Sequence, residues 1–264
     1  MDNLASLKNM KFNINVMGKD FFRDSPVIIA GPCSVEGYKV YRDIALKVKD
    51  AGASALRGGA FKPRTSPFEF QGLAFEGLKI IREVKEEAGL PVVSELLDPR
   101  DVEMAVGSID IIQIGSRNMY NYSLLKEVAK TNLPVMIKRG MAASLKEWLY
   151  AVMYIIEGGN RSVMLCERGI RTFENSTRNT LDLNSVALIS HKYKIPVIVD
   201  PSHGTGNRDL VYNLSLASIF AGASGLMIET HIDPDASISD KEQTISIENL
   251  KAIINKINNL KKLS

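Results

Sequence analysis

Six basic residues, Arg57, Lys62, Arg64, Arg117, Lys138 and Arg168, each end a short apolar run or fall in the loop just beyond one. Any one of them alone reads as an ordinary solvated cation. Gathered in one concave site they would repel one another, a cost that bound anions offset. Guanidinium forks and ammonium point charges suit phosphate and carboxylate oxygens. Neighbouring glycines, among them Gly58, Gly59, Gly115 and Gly169, let backbone amides approach the same oxygens. The chemistry indicated is the binding of a ligand with several anionic groups.

A second set of residue types overlaps the first. Cys33, His203 and Glu229 follow the first, seventh and eighth apolar runs. A thiolate, an imidazole and a carboxylate together suit a divalent transition metal. Separately, Cys33 would read as a buried core thiol and His203 as a loop histidine. Asp233, Asp235 and Asp240 all lie in the segment after Glu229 and stay open as a fourth ligand. Other reactive types take plain structural readings. Cys166 sits within a run and belongs to the core, His191 beside Lys192 marks a solvated helix face, and Trp148 packs an amphipathic helix. His231 follows Glu229 at strand spacing and so shares its face.

For these residues to meet, the apolar runs must be arranged side by side. The runs are 27–30, 55–57, 91–95, 111–114, 134–137, 163–166, 196–199 and 225–228. Most are rich in Val and Ile and too short for helices, which predicts buried parallel strands. Three open with Pro91, Pro134 and Pro196, a residue tolerated at the first position of a strand. Helical spacing fills the intervals, as in 72–88 and 247–260. Gly52, Gly89, Gly158 and Gly222 lie where helix ends need a left-handed residue. Eight strand–helix units in 264 residues predict an α/β fold, a (β/α)8 TIM barrel, which takes roughly 250 residues. An open doubly wound sheet is disfavoured, because no G-x-G-x-x-G follows the first strand. Residues 1–24 form an N-terminal extension, in which 12–16 alternates like a strand that covers the barrel floor; 25–264 form the catalytic barrel. In that fold active sites lie at the C-terminal ends of the strands, where the six cations and Cys33, His203 and Glu229 fall.

Composition narrows the function classes. Hydrophobic residues make up 45% and charged residues 24%, a globular balance, and the net charge of +3 gives no support to a nucleic-acid partner. No apolar stretch approaches the roughly 18 residues of a membrane span, and no secretory pattern opens the chain. Two cysteines make no disulfide framework. A cytoplasmic location with reduced thiols is the expectation.

At the same strand ends the sequence resembles the 3-deoxy-D-arabino-heptulosonate 7-phosphate (DAHP) synthases. The resemblance rests on an ordered set: Ala30-Gly31-Pro32-Cys33-Ser34, Lys62-Pro63-Arg64-Thr65-Ser66, Ile114-Gly115-Ser116-Arg117 and Ile137-Lys138-Arg139-Gly140, followed by Leu165-Cys166-Glu167-Arg168-Gly169, Asp200-Pro201-Ser202-His203 and Ile228-Glu229-Thr230-His231. It covers about residues 27–243 and is closest to the compact branch without a regulatory domain. It implies condensation of phosphoenolpyruvate with erythrose 4-phosphate, the first step of the shikimate pathway. It also implies one divalent ion, Mn²⁺ before Fe²⁺, Co²⁺ or Zn²⁺, held by Cys33, His203, Glu229 and Asp240. Asp240 is selected because Ser239-Asp240-Lys241-Glu242-Gln243 matches the family's S-D-x-x-Q. Arg117, Lys138 and Arg168 would grip phosphoenolpyruvate, with Arg57 and Lys62 beside them; Arg64 and Thr65 would take the aldose phosphate, and Asp200 an aldose hydroxyl. Lys62 would protonate the new alkoxide and Glu95 would position water. A homo-oligomer, in the form of a tetramer, is also implied.

Two competitors frame the test. The sibling 3-deoxy-D-manno-octulosonate 8-phosphate synthase uses arabinose 5-phosphate, but its second loop reads more like K-A-N-R-S than Lys62-Pro63-Arg64-Thr65-Ser66. A non-catalytic sugar-phosphate binding barrel would have no need of a redox-sensitive thiolate.

Overall fold

The computed structural model describes residues 3–24, 26–64 and 66–261. Two short strands come first, β1 (Asn15–Val16) and β2 (Lys19–Asp20). Then β3 (Val27–Gly31), α1 (Tyr38–Asp50), β4 (Ala55–Arg57), α2 (Ala74–Ala88), β5 (Val92–Leu96) and α3 (Val102–Val106) alternate. The alternation continues through β6 (Ile111–Ile114), α4 (Tyr122–Val128), β7 (Val135–Lys138), α5 (Leu145–Glu157), β8 (Val163–Glu167) and α6 (Leu183–Lys192). It ends with β9 (Val197–Val199), α7 (Pro201–Thr205), α8 (Arg208–Phe220), β10 (Gly225–His231), β11 (Ile245–Ser246) and α9 (Ile247–Lys261).

Strands β3 to β10 pair in parallel in chain order, and β10 pairs with both β9 and β3, so the sheet closes into the barrel that the spacing predicts. Closure joins Glu229 to Gly31 in register. Gly31 has φ 148°, and a Cβ there would stand 2.3 Å from the Arg57 carbonyl oxygen, so only glycine fits this close approach. The prolines sit one residue before their strands rather than opening them. Proline has no N–H, yet the carbonyls of Pro91, Pro134 and Pro196 still accept from Leu56, Ile112 and Leu165 on the neighbouring strand, at 2.9 Å each.

Period-two alternation divides each strand between two environments. Ile28, Leu56, Ile112, Ile137, Leu165 and Leu226 face the helices, in one large apolar cluster. Val27, Ile29, Val93, Ile111, Met136, Met164, Cys166, Ile198 and Met227 fill the barrel interior, Cys166 in the core role read for it. The inward positions at the strand ends are then Arg57, Glu95, Gln113, Lys138 and Glu229, with Arg168 and Asp200 just beyond. The apolar interior stops where the polar layer starts.

The 12–16 strand is shorter than its alternation predicts. Met17 (φ 50°) and Gly18 (φ 77°) take the two positive φ values of a tight hairpin turn, so only Asn15–Val16 pairs with Lys19–Asp20. Ile14 and Val16 are buried in the interior cluster, with Phe21 and Phe22 against it. Of the helix-end glycines, Gly52, Gly89 and Gly222 have positive φ, but Gly158 does not; its neighbour Gly159 does, at 103°. Gly158 is needed for space, since a Cβ there would lie 2.4 Å from that of Ala129.

Candidate active site

The last inward layer opens into a cavity of about 480 Å³, within the range that holds small-molecule ligands. Arg57, Lys62, Arg64, Arg117, Lys138 and Arg168 all line it, as the strand-end reading predicts, together with Glu95, Gln113, His203, Asp240 and Gln243. Thr65 lies outside the described residues. Arg178 also lines the cavity and was not anticipated. It comes from the segment between β8 and α6, far from any strand end, and no spacing in the sequence marks it.

At one side of the cavity four donors converge. One ligand atom each from Cys33, His203, Glu229 and Asp240 lies within 4.8 Å of the others. Asp233, left open by the residue types, takes no part: its backbone N–H and carbonyl meet His231 Nδ1. The thiol of Cys33 donates to Asp240 Oδ2 at 2.9 Å and stands 3.9 Å from His203 Nε2. His203 Nε2 is 3.3 Å from Glu229 Oε1. A thiolate, an imidazole and two carboxylates at this spacing fit a divalent transition ion.

The elements that bring these donors together are local consequences of sequence. Cys33 lies two residues past β3, pinned where Gly59 N donates to the Cys33 carbonyl and Val35 N to that of Gly59. Asp200-Pro201-Ser202-His203 is a helix start: Asp200 caps α7 by accepting from His203 N at 2.9 Å, and Pro201 opens the helix. The same carboxylate takes His203 Nδ1 at 2.8 Å and Lys138 Nζ at 2.6 Å on Oδ2. Asp200 is fully buried and is not among the residues that line the cavity. Both oxygens are occupied in aiming His203 and Lys138. The Asx-Pro spacing was the signal for this role.

Electrostatics follow from burial among charges. Burial, reinforced by Glu229, pushes the Cys33 thiol up to about 12. Burial also lowers His203 below the ordinary histidine value, against the pull of Asp200 and Glu229. Glu229 and Asp240 resist burial and are held below the usual carboxylate range, His203 being the largest favourable influence on each. Burial disfavours the Lys62 ammonium, but Cys33, Glu229, Glu95 and Asp240 outweigh it and raise its pKa. Lys62 Nζ donates to Cys33 Sγ at 2.6 Å. Arg57 pairs with Glu229 Oε1 at 2.9 Å, and Gln243 Nε2 donates to Oε2 at 2.8 Å.

The remaining cations are less committed. Arg168 is buried, and its Nη1 has no hydrogen-bond partner among the described residues. Among the described residues Arg117 donates only to the Pro63 carbonyl, at 3.4 Å. Arg64 and Arg178 approach Asp240 at 3.9 and 3.5 Å. Glu95 accepts from Gln113 at 3.2 Å, and a Cβ on Gly115 would fall 1.8 Å from its carboxylate, so Gly115 makes its space. Arg139, between two cavity-side positions, turns outward to Glu167 and Asp182 and lies 5.6 Å above Trp148. His191 is exposed, and Trp148 is buried with its indole N–H on the Ile137 carbonyl. His231 leaves the cavity and meets Glu36 at 3.6 Å.

Comparison with known proteins agrees with this arrangement. A phospho-2-dehydro-3-deoxyheptonate aldolase of Thermotoga maritima is 45% identical over 233 residues, 88% of this chain and 69% of the relative. A 2-dehydro-3-deoxyphosphooctonate aldolase of Desulfotalea psychrophila is 30% identical over 249 residues, covering 88% of each chain. A truncated form of 3-deoxy-D-arabino-heptulosonate 7-phosphate synthase from Thermotoga maritima superposes with a TM-score of 0.83 at 40% identity, over 90% of this chain and 87% of that one. Residues 13–264 match the DAHP synthetase I family, and the chain belongs to it.

Proposed function

We propose that this protein condenses phosphoenolpyruvate with erythrose 4-phosphate, giving 3-deoxy-D-arabino-heptulosonate 7-phosphate and inorganic phosphate. The observation that carries the proposal is one cavity lined by six anticipated cations and abutting four metal-type donors. The 45% identity to a heptonate aldolase, against 30% to an octonate aldolase, favours the four-carbon aldose.

Cys33, His203, Glu229 and Asp240 would hold one divalent ion, Mn²⁺ first, with Fe²⁺, Co²⁺ and Zn²⁺ suited to the same donors. Such an ion supplies Lewis-acid polarisation of the aldehyde oxygen. Arg117, Lys138 and Arg168 bind phosphoenolpyruvate, and the buried, unpartnered Nη1 of Arg168 supports an anion beside it. Arg57 and Lys62 flank that site, while Arg64 and Thr65 hold the aldose phosphate. These cations keep two mutually repelling anions in contact. The third carbon of phosphoenolpyruvate bonds to the aldehyde carbon, and positive charge develops at its second carbon. Lys62 gives a proton to the new alkoxide, a far stronger base than its amine. Water positioned by Glu95 adds at the second carbon, and the tetrahedral product sheds phosphate.

Phosphate release from phosphoenolpyruvate, assayed with erythrose 4-phosphate and arabinose 5-phosphate, with and without chelator, tests this. Turnover is expected with the four-carbon aldose and is lost on chelation. An equal or better rate with arabinose 5-phosphate would assign the chain to the sibling reaction. No release with either would leave a binding barrel. No helix among the described residues is long and apolar enough to cross a membrane. A homo-oligomer, a tetramer, belongs to the same proposal: Phe68, Phe173 and Phe220 are 96%, 99% and 75% exposed in the single chain, apolar area that association would cover. Light scattering at the monomer mass would contradict it.

A further inference from the structure

Asp240 is the candidate ligand farthest along the chain from the end of a barrel strand. Cys33 follows β3, Glu229 lies in β10, and His203 sits in α7, which is capped by Asp200. Asp240 belongs to the segment between β10 and β11, and its φ of 57° lies in the left-handed region. A non-glycine residue there persists only when its surroundings fix it. Its side chain meets Cys33, but its backbone has few restraints: the carbonyl accepts from Thr244 Oγ1 at 2.9 Å and from Gln243 N at 3.3 Å.

The fixing contacts come from the other side of the site. Glu36 stands three residues beyond Cys33, and its side chain is only 7% exposed. Its Oε1 accepts from Ile238 N at 3.0 Å and from Ser237 Oγ at 3.3 Å. Its Oε2 lies 3.6 Å from Nε2 of His231, a buried atom with no hydrogen-bond partner among the described residues. Ser237 Oγ shares its one proton between Glu36 Oε1 and the Ser239 carbonyl, 2.9 Å away, and Ser34 Oγ meets Ser239 Oγ at 2.9 Å. Two residues just after Cys33 are thus tied to those just before Asp240. None of Glu36, Ser34, Ser237 and Ser239 lines the cavity.

We infer that Glu36 is a positioning residue for the metal centre: it clamps the β10–β11 segment against the Cys33 loop, so that the Cys33 and Asp240 donors arrive as a pair. The inference rests on the metal reading above and adds a residue to it. Partners that orient metal ligands are worth roughly 10–100-fold in affinity. Glu36 acts through a loop, so the expected loss lies toward the lower end.

The test uses the metal-free full chain with Co²⁺ as the probe, because visible absorption reports both affinity and ligand set. Glu36→Ala is expected to weaken Co²⁺ binding at least roughly tenfold and to alter the d–d spectrum as Asp240 is lost. The thiolate-to-cobalt charge-transfer band should persist, since Cys33 stays in place. Phosphoenolpyruvate affinity in the absence of metal should match wild type, which a general loss of structure would not permit. Ser237→Ala removes one of the two donors to Oε1 and should weaken Co²⁺ binding several-fold in the same direction. Should Glu36→Ala not fold, the Ser237→Ala titration decides. Wild-type affinity and spectrum in the folded variants would overturn the clamp while leaving the metal reading intact. Wild-type protein that binds no Co²⁺, or binds it equally after Cys33→Ala, would overturn both.

Discussion

At the residue scale, the four donors must shed protons before they can ligate, and the protein has set how many. Burial shifts His203 toward its neutral form and both carboxylates are shifted toward their ionised forms, so Cys33, raised by burial, is the donor whose proton a metal is expected to displace. Its thiol, pushed up to about 12, is protonated in the metal-free protein at every pH where the fold would be assayed. Raising the pH favours the thiolate and therefore the metal complex. Binding is expected to release about one proton per site, with apparent affinity rising about tenfold per pH unit between roughly pH 7 and 9. Isothermal titration in buffers of different ionisation enthalpy measures that stoichiometry. Proton release unchanged in Cys33→Ala would sink the assignment. Asp200 bears a different load, holding Lys138 and His203 from a fully buried position. Removing one partner of a buried pair strands the other charge. Asp200→Ala should lower unfolding stability by roughly 3–5 kcal/mol in urea. A midpoint within error of wild type would mean that water replaces the carboxylate.

At the scale of elements, the loop between β4 and α2 is expected to set which aldose fits. Pro63 fixes one backbone torsion between Lys62 and Arg64. The loop is further tied by Lys62 N to the Gln71 carbonyl at 2.8 Å, Arg64 Nε to the Phe70 carbonyl at 3.1 Å and Arg117 to Pro63 at 3.4 Å. A loop restrained at three points sets one span between the reacting aldehyde and the distal phosphate. Four-carbon and five-carbon aldose phosphates differ in that span by about one C–C bond, and misplacement on the order of 1 Å can cost roughly a hundredfold in rate. Erythrose 4-phosphate should therefore exceed arabinose 5-phosphate in kcat/KM by one to two orders of magnitude, on the order of that figure. Arg64→Ala should raise KM for the aldose far more than it changes phosphoenolpyruvate binding, a split that steady-state kinetics with each substrate varied will show. Equal effects on both substrates would place Arg64 in a shared anion site instead.

At the scale of the whole molecule, strand order and the polar rim were legible because both follow from short-range pattern. Eight Val- and Ile-rich runs fix the barrel, and period two then dictates that Arg57, Glu95, Lys138 and Glu229 point inward at one end. Residues held by loops were legible only in part. Asp240 could be singled out from Asp233 by resemblance alone, Arg178 carried no signal, and the capping role of Asp200 showed only in its spacing before Pro201. A loop's course depends on contacts distant in sequence, such as Glu36 with Ile238, and no local period encodes them. The same division into apolar interior and polar rim predicts that stability and catalysis can be separated. Ile14 is 1% exposed and belongs to the interior cluster with Val27, Ile29 and Met227, whereas the ligand-type side chains lie at the opposite strand ends. Ile14→Ala should leave a cavity and cost roughly 2–5 kcal/mol of unfolding free energy. The metal donors and the cations rest on strand ends that this change does not reach, so kcat/KM per folded molecule should stay within about twofold of wild type, sites this far apart usually being independent. Urea unfolding followed by assay well below the transition tests both halves. A fall in kcat/KM matching the loss of stability would show that the floor and the rim move as one, and that the interior layers transmit strain rather than absorb it.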